Sequence, residues 1–100
     1  MNMAIREAIK AYKLGEVPVG AVIVKDGEVI SKAYNETITM KDASAHAEML
    51  AIRRACEKLD NYRLKDCELY VTLEPCMMCL GAILEARIKN LYIGLLDYKK

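Results

Sequence analysis

The sequence lacks the features that mark a membrane-spanning, secreted or strongly charged protein. No apolar run among its 100 residues is long enough to cross a bilayer, and charges interrupt the amino-terminal segment too often for a signal peptide. The net charge of +1 indicates no general affinity for nucleic acids or membranes, although a local patch can still bind RNA. These absences predict a cytoplasmic protein with reduced thiols and no membrane partner.

The length and composition correspond to one small domain. One hundred residues are near the lower limit for a single stable core. Hydrophobic residues make up 54% and charged residues 29% of the chain, as in a globular protein. There is no repeat, linker or low-complexity tract, so we expect a single domain over residues 1–100.

The first third of the chain predicts a helix followed by a β-hairpin. Apolar residues recur at helical spacing within residues 3–14, and Gly15 stands where that helix would end. The residues at this spacing are Ile5, Ala8, Ile9 and Tyr12. Two runs rich in β-forming residues then flank Asp26-Gly27, a dipeptide that favours the tight turn of a hairpin.

The rest of the chain alternates helices with strands. After a polar connection, we predict a helix over residues 45–59, a strand over 67–73, a helix that Pro75 opens and that continues to Ile88, and a last strand over 91–96. This order predicts an α/β fold, a three-layer α/β/α sandwich in which a mixed sheet of about four strands has helices on both faces. With no strand after it, the last strand is predicted at the sheet edge.

Two short motifs at predicted helix starts carry side chains suited to a metal. They are His46-Ala47-Glu48 and Pro75-Cys76-Met77-Met78-Cys79. Cysteines three apart on a helix share a face, so Cys76 and Cys79 can direct both sulfurs at one metal. The unpaired amides of a helix start favour the thiolate. With His46 supplying a neutral nitrogen, the set suits one zinc ion per chain and leaves the fourth tetrahedral position to water.

A closed structural zinc site is the alternative, and it requires a fourth protein ligand. The chain has no second histidine to supply that ligand, although Cys56 or Cys67 could in principle. Core packing explains both of these cysteines, because Cys56 lies at helical spacing among apolar residues and Cys67 begins a strand. The Cys-x-x-Cys pattern taken alone also fits redox chemistry.

Glu48 is the candidate proton carrier. Bound zinc lowers the pKa of its water to about 7, and a nearby carboxylate can take the proton and pass it to a substrate. Residues two apart on a regular helix diverge, so the geometry of the helix start must bring Glu48 to His46. Alone, Glu48 would be explained by the helix dipole. Together and in this order, the two motifs match the signature of zinc-dependent nucleobase deaminases.

The motifs and their surroundings resemble the bacterial tRNA adenosine deaminases. This family is the branch of the cytidine deaminase superfamily that converts the wobble adenosine of certain tRNAs to inosine. The resembling segments are residues 16–22, 33–35, 45–48, 61–64, 69–79, 81–82 and 86–88. They extend over nearly the whole chain, and they imply a cytidine deaminase-like fold and a zinc-dependent hydrolase.

The resemblance also implies roles for individual residues. The zinc ligands would be His46, Cys76 and Cys79, and the catalytic proton shuttle would be Glu48. The substrate-binding residues would be Asn35, whose amide contacts the target base, together with Val19 and Leu73, which line the base pocket. Without the family, Asn35 could equally end a strand, and the other two would pass as ordinary strand residues. The resemblance further implies a tRNA anticodon loop as substrate and a homodimer with the active site near the subunit interface.

The carboxyl end departs from the family. Asp97-Tyr98-Lys99 resembles the start of an Asp-x-Lys segment, after which relatives continue through another strand and helix that help to grip the anticodon loop. We therefore expect a zinc-dependent deaminase domain that lacks this strand and helix. A small-molecule deaminase of guanine, cytosine or a cytidine nucleotide, and an inactive zinc-folded fragment, are the alternatives. The basic pairs Arg53-Arg54 and Lys99-Lys100 could meet phosphates, but we favour a solvated helix face and a polar terminus.

Overall fold

The computed structural model of the chain describes residues 1–97, so Lys99-Lys100 and most of the Asp97-Tyr98-Lys99 segment lie outside the described residues. Three helices and four strands follow one another along this part of the chain. They are α1 (Asn2–Lys13), β1 (Gly20–Lys25), β2 (Glu28–Tyr34), α2 (Ala47–Leu59), β3 (Cys67–Leu73), α3 (Met77–Glu85) and β4 (Asn90–Leu95). Their order is the predicted one.

The four strands form one mixed sheet in the order β2-β1-β3-β4. Strand β1 is antiparallel to both β2 and β3, whereas β4 is parallel to β3, with Val71 opposite Ile93. The helix α3 makes the crossover that a parallel pair requires. Because α1 lies on one face of the sheet and α2 and α3 lie on the other, the predicted three-layer α/β/α sandwich is confirmed.

The hairpin between β1 and β2 turns at the predicted dipeptide. Asp26 and Gly27 both have positive φ, at 50° and 78°, and they connect the paired residues Lys25 and Glu28. Two successive positive φ angles match the right-handed twist of the flanking strands. The Asp-Gly sequence therefore sets the register next to the turn, and the register shifts once further along, between Ile23 and Val24.

The buried face of α1 differs from the stripe that the helical spacing indicated. Of the four apolar residues in that stripe, only Ala8 is buried, whereas Ile5, Ile9 and Tyr12 are 46%, 48% and 72% exposed. The residues that α1 buries are Ala4, Glu7, Ala8 and Ala11. The cause is a close approach to the sheet, since a Cβ atom on Gly20 would lie 1.9 Å from the carbonyl oxygen of Ala4. Alanine leaves the space for this approach, and larger apolar residues do not.

The main hydrophobic core lies on the opposite face, under α2 and α3. Its larger fully buried side chains are Ile23, Leu64, Leu69 and Val71. Ser31 on β2 donates a hydrogen bond to the Ala51 carbonyl oxygen at 2.7 Å and thereby ties the sheet to α2. Cys67 is fully buried and Cys56 packs against the same cluster, which agrees with a packing role for both.

Helix α3 ends three residues before the predicted end at Ile88. Arg87 takes a left-handed conformation with φ 62°, and the Ile88 amide donates to the Ile83 carbonyl oxygen at 3.3 Å. This hydrogen bond closes α3 with a left-handed residue after its end, a position that is usually glycine. The guanidinium of Arg63 also donates to the Glu85 carbonyl oxygen, so the last turn of α3 is fully capped.

Strand β4 occupies an edge of the sheet, as predicted. Tyr92 and Leu95 are 42% and 63% exposed, and within residues 1–97 no strand pairs with the outer side of β4. An unpaired edge that carries apolar side chains favours association with another chain. In the part of the chain that the structure describes, no helix is long and apolar enough to cross a membrane.

Candidate metal and base-binding site

The two predicted motifs meet because each places a ligand immediately before a helix. His46 precedes α2 and Cys76 precedes α3, and both have extended backbone, with φ/ψ of −74°/152° and −75°/174°. Each helix therefore begins two residues later than predicted, at Ala47 and at Met77. A residue in this capping position keeps non-helical angles, so its side chain can leave the helix surface. The assumption that both cysteines lie on one helix face was wrong for Cys76.

Three side chains present their ligand atoms to one point. Nδ1 of His46 lies 3.6 Å from Sγ of Cys76 and 3.6 Å from Sγ of Cys79, and all three atoms lie within 4.8 Å of one another. Zn–N and Zn–S bonds of about 2.0–2.1 Å and about 2.3 Å at a tetrahedral angle hold a nitrogen and a sulfur about 3.6 Å apart. The observed spacing therefore fits zinc. Among residues 1–97, no other such group of His, Cys, Asp and Glu could hold a metal.

The electrostatics of Cys79 differ from the expectation that a helix start favours the thiolate. Burial raises the pKa of the Cys79 thiol, and Glu48 and Cys76 raise it further. The side chain is fully buried in the first turn of α3, so the loss of water outweighs the helix amides. A cation beside the sulfur reverses this balance, because metal coordination deprotonates a thiol.

Glu48 lies in the first turn of α2, and its side chain is directed inward. The residue is only 4% exposed, it forms a hydrogen bond with the Cys79 side chain, and it lines the same cavity as His46 and Cys76. The extended backbone of His46 resolves the divergence expected of residues two apart on a helix. A carboxylate that served only the helix dipole would remain in water, since burial of a charge is costly.

A cavity of about 240 Å³ adjoins this cluster. Six of the seven predicted site residues line it, and the seventh, Cys79, is fully buried. The six are Val19, Asn35, His46, Glu48, Leu73 and Cys76. The volume is below the range of about 300–1,000 Å³ that is typical of pockets for drug-sized ligands. The cavity therefore has room for a single base.

Three further residues line the cavity, and the sequence analysis did not single them out. They are Val17, Thr37 and Glu74. Val17 and Glu74 lie in the segments 16–22 and 69–79 that carry the family resemblance, so the resemblance could have indicated both. Thr37 belongs to the polar connection after β2, where no periodic pattern indicates the direction of a side chain. Glu74 also accepts a hydrogen bond from the Asp97 amide at 3.1 Å, which attaches the chain after β4 to the cavity wall.

The basic pair on α2 holds the loop that follows β2. Arg54 donates to the Lys32 carbonyl oxygen at 3.1 Å and to the Glu36 carboxylate at 3.3 Å. Arg53 donates to the Ser44 hydroxyl at 3.1 Å. These contacts give both guanidinium groups partners within the protein, while both side chains stay about half exposed. The interpretation of this pair as a solvated helix face stays a prediction.

Comparison with known proteins gives matches over nearly the whole chain. Residues 1–95 match the family described as the cytidine and deoxycytidylate deaminase zinc-binding region. The chain is 54% identical over 99 residues to a tRNA-specific adenosine deaminase of Aquifex aeolicus (strain VF5), covering 99% of this chain and 66% of that protein. It spans about three fifths of the length of the curated relatives that it matches.

Two solved structures superpose closely on the chain. One comes from studies of A-to-I editing by tRNA:A34 deaminases at the wobble position of transfer RNA. It has a TM-score of 0.97 and 52% identity and covers 99% of this chain and 72% of its own. The other, a guanine deaminase from Bacillus subtilis, has a TM-score of 0.92 and 46% identity and covers 95% of this chain and 61% of its own. The two structures share the fold and differ in the base for which they are described.

Proposed function

Because the chain belongs to the cytidine and deoxycytidylate deaminase family and has its zinc-binding region, we propose that it is a zinc-dependent hydrolase that deaminates the wobble adenosine of tRNA to inosine. The observation that carries the proposal is the convergence of Glu48 with three metal-ligating side chains at one base-sized cavity. The 54% identity to a tRNA-specific adenosine deaminase supports adenosine as the base.

We assign the zinc to His46, Cys76 and Cys79. Their nitrogen-to-sulfur spacing of 3.6 Å supports zinc, and so does a ligand set of one imidazole and two thiolates. A zinc ion held by these residues would supply the Lewis acid that makes water a nucleophile near neutral pH. Three protein ligands match the open coordination of catalytic sites, whereas structural sites have four.

Glu48 moves the protons in the proposed reaction. Its carboxylate takes a proton from the attacking water and gives it to the ring nitrogen next to the reacting carbon. It then takes the second proton, from the hydroxyl group now on the reacting carbon, and gives it to the exocyclic amino group, which leaves as ammonia while the hydroxyl becomes the carbonyl of inosine. Water and adenosine are consumed, and inosine and ammonia are formed. The 4% exposure of Glu48 supports this role, because a buried carboxylate exchanges its proton with the substrate rather than with bulk solvent.

The remaining cavity residues bind the base. Asn35 is 6% exposed and lines the cavity, and its side-chain amide can both donate to and accept from the edge of a purine. Val19 and Leu73 offer apolar surface to the faces of the ring. A base held in this way must first leave its stack, so a loop nucleotide is a better substrate than one in a duplex.

The tRNA anticodon loop is thus the proposed partner, and the cytoplasm is the proposed location. We also propose a homodimer with its interface close to the cavity. Helix α3 begins beside the site and carries apolar side chains in water, with Met77 89% exposed and Leu84 69% exposed. Exposed apolar residues on one element are typical of a surface that another chain covers.

Deamination of free guanine is the second candidate function. It is favoured by the 46% identity and TM-score of 0.92 to a guanine deaminase, and the cavity has the size for either purine. Cytosine or a cytidine nucleotide would use the same zinc chemistry, and an inactive zinc-folded fragment would use none of it.

One assay with parallel substrates separates these functions. The zinc-loaded protein is incubated with a tRNA anticodon stem-loop, free adenosine, guanine and cytidine, and products are identified by mass. We expect inosine in the stem-loop at a rate far above that of any free base or nucleoside. Product from guanine or cytidine alone would replace the proposed substrate. Absence of product from all four, and from cytosine and a cytidine nucleotide, at full zinc content, would identify the inactive fragment.

A further inference from the structure

A buried carboxylate outside the cavity joins the two segments that form one of its walls. Glu16 is 4% exposed, and its side chain reaches the turn after β2. Its Oε2 atom accepts hydrogen bonds from the Thr39 amide at 2.6 Å and the Thr39 hydroxyl at 2.7 Å. Its Oε1 atom accepts from the Ile38 amide at 3.2 Å and from the Thr37 hydroxyl at 3.5 Å. A single carboxylate thus serves four donors.

The backbone of Glu16 is itself held firmly. Its amide donates to the Ala11 carbonyl oxygen at 2.9 Å, and the Gly15 amide donates to Tyr12 at 3.1 Å. Gly15 has φ 78°, so this is the glycine-closed end of α1. The carboxylate therefore extends from a rigid origin at the helix end to the turn after β2.

Both segments that Glu16 connects contribute cavity residues. Val17 and Val19 lie one and three positions after Glu16, and Asn35 and Thr37 lie on the other segment. A backbone hydrogen bond of 3.1 Å from Asn35 to Val19 joins the segments at the strand end, and Glu16 joins them a few residues further on. The Asn35 side chain also donates to the Thr37 hydroxyl at 3.5 Å, the same hydroxyl that faces Glu16.

We propose that Glu16 is the positioning residue of this site, which holds the turn at residues 37–39 so that the Asn35 amide faces the base. It acts through Asn35 and touches neither the substrate nor the metal. The loop is also held at Glu36, whose amide donates to the Ala45 carbonyl oxygen at 2.9 Å and whose carboxylate accepts from Arg54. Glu16 adds the side-chain attachment of residues 37–39 to the segment that follows α1, and so fixes the separation of the two cavity segments. A base contact displaced by a loss of this positioning binds the base less well and so lowers kcat/KM.

The charge state of the carboxyl agrees with this role. Burial alone would raise the pKa of Glu16, but hydrogen bonds from Thr39, Ile38 and Thr37 outweigh it and hold the pKa below its usual value of 4.5. At neutral pH the group is an acceptor at both oxygens. A glutamine in its place has one oxygen and one NH2 group, so whichever way it turns it presents a donor to the amide of Ile38 or to the amide of Thr39, and an isosteric change is enough to break the clamp.

The first test needs no substrate and therefore does not depend on the proposed function. Glu16→Gln is compared with Glu7→Gln, a buried glutamate on α1 that is 4% exposed and pairs with Lys10 away from the cavity. We expect hydrogen exchange at the Ile38 and Thr39 amides to rise about tenfold or more in Glu16→Gln alone. The side-chain amide resonance of Asn35 should shift in the same variant. Unchanged exchange and an unchanged resonance would overturn the proposal.

The second test rests on the proposed function and uses the anticodon stem-loop. Glu16→Gln should raise KM about tenfold while kcat falls less than about threefold, and Glu7→Gln should change neither. In an Asn35→Ala background, the same substitution should lower kcat/KM less than about twofold, because the residue through which it acts is absent. Additive losses in the double variant would refute action through Asn35.

Should Glu16→Gln fold poorly, Thr39→Val is the second variant. It removes one hydrogen-bond donor to Glu16 and should give a smaller change of the same sign, and no change would count against the clamp. A wild-type protein that leaves the stem-loop untouched would remove the proposed substrate, while the exchange result would still decide the clamp.

Discussion

Nδ1 of His46 and Sγ of Cys79 lie 3.6 Å apart although 33 positions separate the two residues in the sequence. The contact exists because α2 and α3 cover the same face of the sheet and begin at the same end of it. Two helix starts, each preceded by extended backbone, can place side chains from distant segments within bonding distance of one ion. The site is therefore a property of how the two helices pack.

Glu48→Gln should abolish deamination and leave the zinc in place. The substitution keeps the size of the side chain and removes the proton carrier, so the rate should fall by about 10²–10⁴-fold. Zinc per chain and turnover are measured on the same preparation, with Glu57→Gln on the exposed side of α2 as the matched control. Residual activity close to that of the wild type would remove Glu48 from the mechanism.

Cys79→Ala should lose both zinc and much of the stability. Binding of a structural zinc contributes about 10–16 kcal/mol of apparent folding free energy in small peptides, and a domain of this size has little in reserve. Cys67→Ala is the control, since this cysteine is equally buried but lies outside the ligand cluster. It should cost about 1 kcal/mol and keep the metal. Equal zinc content and melting temperature in the two variants would contradict the assignment.

Acid should remove the stability that Glu16 contributes. The pKa of this carboxyl is below its usual value of 4.5 in the folded protein, because its hydrogen bonds outweigh the effect of burial. A carboxyl whose pKa is lower in the folded than in the unfolded protein contributes its full stabilisation at pH values above the unfolded-state pKa. That stabilisation is lost as the pH falls through the folded-state pKa. The difference in unfolding free energy between wild type and Glu16→Gln should therefore be constant above about pH 5.5 and shrink below about pH 4.5. Denaturant titrations over this range provide the measurement, and a difference that does not change with pH would contradict it.

The edge strand β4 should promote self-association through a contact separate from the homodimer surface proposed on α3. Leu95 is 63% exposed there, and a lysine introduced at an exposed sheet edge opposes pairing with another strand. Leu95→Lys should weaken association at micromolar concentration by about tenfold, as seen by sedimentation. Val29→Lys makes the same change on β2, the other edge strand, and should have little effect. A wild-type chain that sediments as a monomer would show that β4 does not pair in solution.

Local sequence patterns predicted the elements well, and their ends less well. The hairpin at Asp26-Gly27 and the helix end at Gly15 were correct because both depend on backbone angles that few residues adopt. The end of α3 was missed because Arg87 takes a left-handed conformation that the sequence does not advertise. The starts of α2 and α3 were each placed two residues early, since a capping residue and a first-turn residue look alike in a pattern of apolar spacing.

What the sequence determined by itself was the set of side chains from which the candidate site is built. The only histidine, a cysteine pair three residues apart and a glutamate two residues after the histidine restrict the metal and the proton carrier, because few side chains can fill those roles. Tertiary structure alone decided which face α1 buries, since the close approach of Ala4 to Gly20 overrides the apolar stripe. It alone also joined Glu16 to the turn after β2, a contact over 23 positions to Thr39 that no local pattern encodes. Side-chain chemistry is a property of each residue, whereas burial and long-range hydrogen bonds depend on where the packed elements come to lie.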